Sequence, residues 1–256
     1  MEFRGVRLPG VLEVPGNRTF NALDLMLAVC MAERKSIEFK EEPVKLVSGR
    51  MSNFYVHLRQ DVTRDPEYKS LVGDRIARDI LRFSIREDGI PHLIGVPYAG
   101  IPLAEATAFA SWSRESGGDP VMPTSIMRNE LKVHGSHNTW VDGGSNGFDG
   151  QTPWVIDNTM TDGGSKTKTA ERLQQDGFKV KHMPSLVFVD RCQGGMKNLH
   201  KLGFTRVYRS YALTDLLFAF EYLGLWTGQT VAVVLKEIAK VAGENPGLPP
   251  FEFIDE

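Results

Sequence analysis

Short apolar runs that end in a polar, glycine-bearing loop and continue into a helical segment dominate the chain after residue 90. The clearest examples are residues 92–112, 153–177 and 204–226, and further strand candidates lie at residues 120–129 and 185–191. Alternating strands and helices favour an α/β fold with a mainly parallel sheet flanked by helices. In such sheets ligands bind beyond the carboxyl ends of the strands, so the loops are where chemistry is expected.

The preceding segments complete what we read as a single domain. Apolar residues at helical spacing predict helices over residues 20–35 and about 66–83. Residues 44–60 alternate and are rich in Val, Tyr and Phe, which predicts two strands or a hairpin. Residues 1–20 are rich in Gly and Pro and are expected to form an extended arm. A second arm, residues 245–256, is expected to lie against the core or a dimer partner.

Charge and composition narrow the classes of function. The net charge of -2 gives no global reason to expect nucleic acid or a membrane as a partner. The two cysteines do not make a disulfide framework, and no Cys and His spacing matches a zinc site. The N-terminus lacks the apolar stretch of a signal peptide, and no apolar run is long enough to cross a bilayer. A cytoplasmic location is therefore the expectation.

Residues 155–166, VIDNTMTDGGSK, have the composition of a phosphate-binding loop. Backbone N–H groups in a glycine turn that opens onto a helix N-terminus bind anions. Thr161 and Ser165 add hydroxyl donors, and Gly163 and Gly164 permit backbone angles that other residues resist. The sequence therefore predicts a phosphate at this strand end.

Asp157 stands near the start of this stretch, before its glycine turn, and would accept hydrogen bonds from sugar hydroxyls. A phosphate beside a diol suggests a ribose 5-phosphate. The Walker A and GxGxxG patterns are absent, which disfavours a P-loop and a dinucleotide fold. The alternative is an ordinary strand-to-helix turn with Asp162 as N-cap.

A second glycine loop and a basic cluster indicate another anion site. Residues 95–106 place glycine between a strand and a helix, while Arg128, Lys132 and His134 stand at the start of a glycine-rich stretch, residues 133–151. A structureless loop of this length is often a functional lid, although a disordered surface excursion is the alternative. Singly these basic residues read as solvated surface groups. Together they suggest a clamp for pyrophosphate.

Five motifs, in order between about residues 24 and 226, resemble those of the orotate phosphoribosyltransferases, within the type I phosphoribosyltransferases. VKLVSGRMSNFYVHLR resembles the N-terminal hood segment of that family, and GVPYAGIPLA its pyrophosphate loop. RNELKVHG is similar to its catalytic loop. VIDNTMTDGG resembles its signature for 5-phosphoribosyl 1-pyrophosphate (PRPP), and VFVDR the strand that follows. Five ordered motifs are far more specific than any one of them.

The resemblance implies transfer of ribose 5-phosphate from PRPP to orotate with Mg²⁺, which gives orotidine 5′-monophosphate and pyrophosphate. It also implies one domain over residues 1–256, with a hood from about residues 21–64 and a mobile catalytic loop over about residues 133–151. A homodimer with shared active sites is implied as well, in which Arg128, Lys132 and His134 reach into the site of the partner.

The resemblance also assigns the site. The implied catalytic residues are Lys132, Arg128, His134 and Asp157, and Asp157 is also the candidate contact for a metal held mostly through PRPP. The implied PRPP-binding residues are Asp157, Asn158, Thr161, Asp162, Gly163, Gly164, Ser165, Tyr98, Ala99 and Gly100. The implied base-binding residues are Arg191, Tyr55 and Val56.

Four positions depart from the family pattern, which has three lysines and an acid there: Val47, Ala99, Asn129 and Asn158. Lys45 or Arg50 could stand in for the lysine lost at the first of these. The uracil-specific relatives carry a single acid before a TGGS loop, which TDGGS resembles, so one acid is compatible with catalysis. Two alternatives stay open: transfer to a different base, and a catalytically weak PRPP- or nucleotide-binding regulator.

Overall fold

Four short strands open the chain in the computed structural model, which describes residues 1–16, 18–45, 51–114, 117–130, 139–141, 148 and 150–253. β1 (Glu2–Phe3) pairs antiparallel with β2 (Val6–Arg7), and β3 (Leu12–Val14) pairs antiparallel with β4 (Arg18–Phe20). Leu8 and the apolar residues of β3 and β4 are buried in the main core. The extended arm predicted for residues 1–20 is therefore wrong, because these apolar side chains bury themselves as two hairpins.

Helix α1 (Ala22–Glu33) confirms the helix predicted over residues 20–35. The Asn21 side chain accepts hydrogen bonds from the N–H groups of Leu23 and Asp24, and Asp24 accepts one from the N–H of Asn21 at 2.8 Å. This reciprocal capping satisfies donors that a helix start otherwise leaves unpaired.

An antiparallel hairpin follows, formed by β5 (Ile37–Lys45) and β6 (Met51–Val56). It confirms the pair of strands predicted within residues 44–60, although the first strand begins earlier, at Ile37. α2 (Leu58–Arg64) then leads into α3 (Pro66–Phe83), which confirms the helix predicted over about residues 66–83. Asp65 caps α3 by accepting a hydrogen bond from the N–H of Tyr68 at 2.9 Å.

The rest of the chain alternates strands and helices around one five-stranded parallel sheet, as predicted. In chain order the elements are β7 (Ile90–Gly95), α4 (Ile101–Ser113), β8 (Thr124–Ile126), β9 (Gln151–Met160), α5 (Gly164–Gln175), β10 (Ser185–Asp190), α6 (Gly195–Lys201), β11 (Val207–Ala212), α7 (Leu213–Tyr222) and α8 (Gly228–Glu244). The spatial order is β11-β10-β9-β7-β8. The loops after β7, β9 and β10 therefore emerge side by side at one edge of the sheet.

Two apolar clusters cover the sheet. The larger joins the N-terminal hairpins, the β5–β6 hairpin, α1, α3, α4, α7 and α8, while the smaller lies under α5 and α6. Leu248, Phe251 and Phe253 of the C-terminal tail pack against the smaller cluster. This confirms an arm against the core within residues 245–256, of which residues 254–256 lie outside the described chain.

A buried ionic network joins α1, α3 and β11. Arg75 pairs with both Asp24 and Asp79, and the hydroxyl of Tyr211 donates to Asp24 at 2.8 Å. Burial raises the pKa of the Asp79 carboxyl, and the neighbouring Arg75 offsets this only in part. Removing Arg75 would leave two buried carboxylates without a compensating charge. The network therefore stabilises the packing of these three elements only while all of its members are present.

Candidate functional site

The loop between β7 and α4 is held closely against the central strand β9. The N–H of Val96 donates to the carbonyl of Ile156 at 2.8 Å, and the N–H of Gly100 donates to the carbonyl of Val96 at 2.8 Å. A Cβ atom at Gly100 would overlap the Ile156 carbonyl oxygen, so this approach requires glycine. Tyr98, at the tip, has a left-handed φ of 62° and is 62% exposed. The predicted pyrophosphate residues Tyr98, Ala99 and Gly100 thus form a tight turn at the carboxyl edge.

The loop between β9 and α5 is the glycine turn predicted to hold a phosphate. Gly163, with φ +97°, is the N-cap of α5, and Asp162 Oδ1 accepts a hydrogen bond from the N–H of Gly164 at 2.9 Å. Within the described residues, the N–H groups of Thr161, Asp162 and Gly163 have no hydrogen-bond acceptor. These donors, at the positive end of a helix, suit an anion. The predicted hydroxyl of Ser165 is exposed in the first turn of the same helix.

Asp157 does not face this loop as an open carboxylate. It is 2% exposed; its Oδ1 accepts a hydrogen bond from the N–H of Asn158 at 2.8 Å, and its Oδ2 accepts one from the ammonium of Lys166. Lys166 is 6% exposed and also donates to the carbonyl of Thr159 at 2.9 Å. The structure therefore pairs the predicted ribose acid with a buried lysine, and its contact with a sugar stays a prediction.

The loop after β10 repeats the geometry of the loop after β9. Cys192 has φ 59°, and Gly194, with φ +106°, is the N-cap of α6. Asp190, at the end of the strand, is 2% exposed; it accepts hydrogen bonds from Arg209 Nη1 at 2.6 Å and from the N–H of Cys192 at 2.9 Å. A buried carboxylate therefore fixes the turn that carries Arg191.

Arg191, the predicted base-binding cation, lies against the β5–β6 hairpin. Its guanidinium carbon is 4.7 Å from the centroid of the Phe54 ring, a cation–π contact. Side chains alternate along a strand, so Val56 projects from the same face of β6 as Phe54 and Tyr55 from the opposite face. Tyr55 instead contacts the ring of His57, with centroids 4.2 Å apart. The structure thus brings Arg191 to the hairpin through Phe54, and the base contacts of Tyr55 and Val56 stay predictions.

Arg128 marks the base of the predicted catalytic loop. Its N–H donates to the carbonyl of Thr139 at 2.8 Å, and its Nε donates to the carbonyl of Trp140 at 3.2 Å. Both of these residues bond Asp176 through their side chains, and Trp140 is 2% exposed. The described residues 139–141 are therefore anchored to α5 and its C-terminus. Lys132 and His134 lie outside the described residues, and so does most of the lid predicted over residues 133–151.

A small basic cavity lies between the start of the β7–α4 loop and one face of α5. It has a volume of about 170 Å³, and its lining includes Asn129, Ser165, Lys168 and Arg172. Arg172 Nη1 donates to the carbonyl of Arg128 at 2.9 Å, which places the cavity at the base of the predicted catalytic loop. The two cations Lys168 and Arg172 line this cavity together with Asn129, which replaces a lysine of the family pattern.

The C-terminal tail supports both glycine turns from behind. Asn245 donates to the carbonyl of Gln193 at 2.6 Å and accepts a hydrogen bond from Asn198 Nδ2 at 3.1 Å. Asn198 also donates to the carbonyl of Asp162 at 3.0 Å. A Cβ atom at Gly163 would lie 3.4 Å from a methyl carbon of Leu248. The tail therefore links the turns after β9 and β10.

The donor set offers little to a metal ion. In the part of the chain that the structure describes, no group of three or more His, Cys, Asp or Glu side chains is placed to hold one. Asp157, the predicted metal contact, already bonds Lys166 and a backbone N–H. These residues therefore do not form a protein-held Mg²⁺ site. Among the same residues, no helix is long and apolar enough to span a membrane.

Sequence reasoning found the three loops but missed four residues that shape them: Phe54, Lys166, Lys168 and Arg172. The three basic residues all lie in α5, the helix after the phosphate loop, from Lys166 in its first turn to Arg172 in its last. Ser165, Lys168 and Arg172 recur at a spacing of three to four, which puts them on one helix face. That spacing is visible in the sequence and indicates a helix face that carries two basic side chains. Phe54 directly precedes Tyr55, the hood residue that was predicted.

The order of the strands and the glycine turns at their carboxyl ends place this protein among the type I phosphoribosyltransferases. The chain is 30% identical over 188 residues to the orotate phosphoribosyltransferase of Aquifex aeolicus, which covers 73% of this chain and 94% of the relative. It is 31% identical over 215 residues to the uridine 5′-monophosphate synthase of Bos taurus, covering 82% of this chain and 41% of the relative. The chain belongs to the orotate phosphoribosyltransferase family.

A solved structure supports the same assignment. The UMP synthase of Leishmania donovani is 25% identical and superposes with a TM-score of 0.63, covering 84% of this chain and 42% of that protein. This structure and the two relatives confirm the resemblance that the five motifs indicated. No protein-family model matches the chain.

Proposed function

We propose that this chain transfers the ribose 5-phosphate group of PRPP to orotate, giving orotidine 5′-monophosphate and pyrophosphate in pyrimidine nucleotide synthesis. The observation that carries the proposal is the turn of residues 161–163. Its N–H groups lack acceptors among the described residues and stand at the N-terminus of α5. Such a turn suits a phosphate group. A relative at 30% identity is named for this transfer reaction, which favours the phosphate of PRPP.

The two ends of PRPP would occupy neighbouring loops. The 5′-phosphate would lie on the N–H groups of residues 161–163, with hydroxyl donors from Thr161 and Ser165. The pyrophosphate would lie towards residues 98–100 and the basic cavity, where Lys168 and Arg172 add positive charge. This arrangement would hold the ribose between two fixed anion sites, so that its C1 atom is presented to the base.

The chemical step asks little covalent work of the protein. A ring nitrogen of orotate gives up its proton to solvent and attacks C1 of the ribose. The C1–O bond breaks, and pyrophosphate leaves with the bonding electron pair. The protein must orient both reactants, neutralise the leaving charge and exclude water. In this proposal Lys132 neutralises the pyrophosphate, assisted by Arg128 and His134.

Orotate would lie under the β5–β6 hairpin. Arg191 is the cation of that region, and its cation–π contact with Phe54 holds the guanidinium against the hairpin. A planar, charged guanidinium at this position suits the carboxylate or ring oxygens of orotate. Lys45 and Arg50 are the candidate replacements for the lysine lost at Val47. Lys45 is exposed at the end of β5, while Val47 and Arg50 lie outside the described residues.

Mg²⁺, the dimer and the location are further parts of the proposal. Because the described residues form no metal site, any Mg²⁺ would arrive on the oxygens of PRPP rather than on the protein. Support for a homodimer comes from exposed aromatic side chains: Tyr98 at the tip of the β7–α4 loop, and Phe109 and Trp112 towards the C-terminal end of α4. The cytoplasmic location stays a prediction.

The test is base-dependent turnover. The purified chain would be incubated with PRPP and Mg²⁺ together with orotate, with uracil, or with no base, and pyrophosphate would be measured in each case. We expect release only with orotate, matched by an equal amount of orotidine 5′-monophosphate. Release with uracil alone would indicate a different base. PRPP binding without release in any arm would indicate the binding-only regulator.

A further inference from the structure

Lys166 is buried in a place that ordinarily disfavours a lysine. It lies in the first turn of α5, where the positive end of the helix repels a cation, and its side chain is 6% exposed. Its ammonium bonds the Asp157 carboxylate and the Thr159 carbonyl. Such a placement requires a compensating partner, and the buried Asp157 supplies it.

This pair bridges the two elements that flank the proposed ribose 5-phosphate site. Thr159 and Asp157 are at the end of the central strand β9, and the anion-binding turn of residues 161–163 connects that strand end to the helix that carries Lys166. The ammonium therefore links the strand end to the helix across the turn. Losing this link would let the strand end move relative to the helix N-terminus. The N–H groups of residues 161–163 would then no longer point towards the same phosphate.

We propose that Lys166 is a positioning residue for the ribose 5-phosphate end of PRPP, acting through Asp157 and the Thr159 carbonyl, and that it makes binding of this end independent of a metal ion. The proposal rests on the function proposed above and deepens it. A divalent cation is not needed at Asp157, because the lysine already compensates the carboxylate. The described residues offer no alternative metal cluster.

The test measures binding rather than turnover, with ribose 5-phosphate as the probe. Calorimetric titrations would use the wild type, Lys166→Met, Asp157→Asn, the double variant, and Lys236→Met as a control at an exposed lysine of α8. Each titration would be run in EDTA and in Mg²⁺. Circular dichroism would confirm that each variant is folded at the temperature used. Lys166→Arg, which keeps the charge, covers the case in which Lys166→Met does not fold.

We expect the wild type to bind ribose 5-phosphate equally in EDTA and in Mg²⁺. Lys166→Met should weaken binding about ten-fold or more, the scale of a charge-assisted hydrogen bond. In the Asp157→Asn background the same change should have little further effect, because the two residues act as one unit. Lys166→Arg should lose less affinity than Lys166→Met, and Lys236→Met should bind like the wild type.

Three outcomes would overturn the inference. Wild-type affinity in folded Lys166→Met would leave Lys166 with a role in stability alone. Equal weakening in both backgrounds would mean that Lys166 contacts the ligand directly instead of through Asp157. A wild type that needs Mg²⁺ to bind ribose 5-phosphate would refute metal independence. A protein that behaves as expected here but does not use orotate would refute only the proposed transfer reaction.

Discussion

Asp88 and Arg206 form a two-point ion pair between the turn before β7 and the residue before β11. The two Nη atoms of Arg206 donate to the two carboxylate oxygens of Asp88 at 2.8 and 2.6 Å. Burial by itself raises the pKa of the Asp88 carboxyl, but the hydrogen bonds from Arg206 and from the N–H of Ile85 outweigh it, so this pKa lies below its ordinary value. The pair thus stabilises the fold only while Asp88 is ionised.

Asp88→Asn should therefore destabilise the protein in a pH-dependent way. At pH 7 we expect a loss of about 1–3 kcal/mol in the free energy of unfolding. The contribution of Asp88 is present above its unfolded pKa of about 3.9 and is lost as pH falls through the lower folded pKa. Urea unfolding between pH 7 and pH 3 measures it. Asp119→Asn, which breaks the more exposed pair with Arg114, should cost less than about 1 kcal/mol. A deficit in Asp88→Asn that did not shrink with acid would contradict this.

At the scale of single residues, the sequence predicted which residues could bind a ligand better than it predicted which side chains contact each other. The acid Asp157 and the donors of residues 161–163 follow from the types of residue beside a glycine turn. The burial of Lys166 does not, because a lysine in the first turn of a helix reads as a solvated surface group. Its partner is fixed by the meeting of strand, turn and helix in three dimensions, which no local pattern contains.

At the scale of elements, α5 and α6 begin with the same device. Each has a left-handed glycine as its N-cap, Gly163 or Gly194. Each also follows a strand with a buried carboxylate in its last four residues, Asp157 in β9 and Asp190 in β10. The left-handed backbone costs other residues about 1–2 kcal/mol. This geometry turns the N–H groups of the first turn towards the edge of the sheet where substrates would bind.

Gly163→Ala tests this device, and Gly177→Ala is a matched control. Both glycines have positive φ, +97° and +89°, but Gly177 lies after the C-terminus of α5, away from the strand-end loops. The left-handed backbone should make each change cost about 1–2 kcal/mol of stability, measured by urea unfolding. Gly163→Ala should cost somewhat more than Gly177→Ala, because its Cβ would lie 3.0 Å from Leu199 Cγ. Only Gly163→Ala should also raise the dissociation constant of PRPP, by about ten-fold. Equal PRPP affinity in the two variants would show that the turn does not bind the substrate.

The strand, loop and helix order after residue 90 could be predicted because each unit carries its own periodicity and its own glycine turn. The N-terminal hairpins could not, because their strands have only two or three residues each and their pairing depends on a core surface supplied by distant helices. The support of both turns by Asn245 was equally hidden, since it joins segments far apart in the chain.

At the scale of the whole molecule, the parallel sheet brings three loops together that are widely separated in sequence. That convergence follows from the alternation of strands and helices, so the fold class could be predicted from the sequence alone. The spatial order of the strands could not be derived from periodicity, and it became known only from the structure. The shared site of a dimer stays a prediction, because Lys132 and His134 lie outside the described residues.

The most direct test of the proposed transferase function is an assay of orotidine 5′-monophosphate formation from PRPP and orotate. It would compare the wild type with Lys132→Ala. We expect product from the wild type in proportion to pyrophosphate, and a loss of at least about 100-fold in turnover when the loop lysine is removed. Equal turnover in the two proteins would show that the predicted loop does not carry the leaving charge. No product from the folded wild type, under conditions where it binds PRPP, would contradict the proposed transferase function itself.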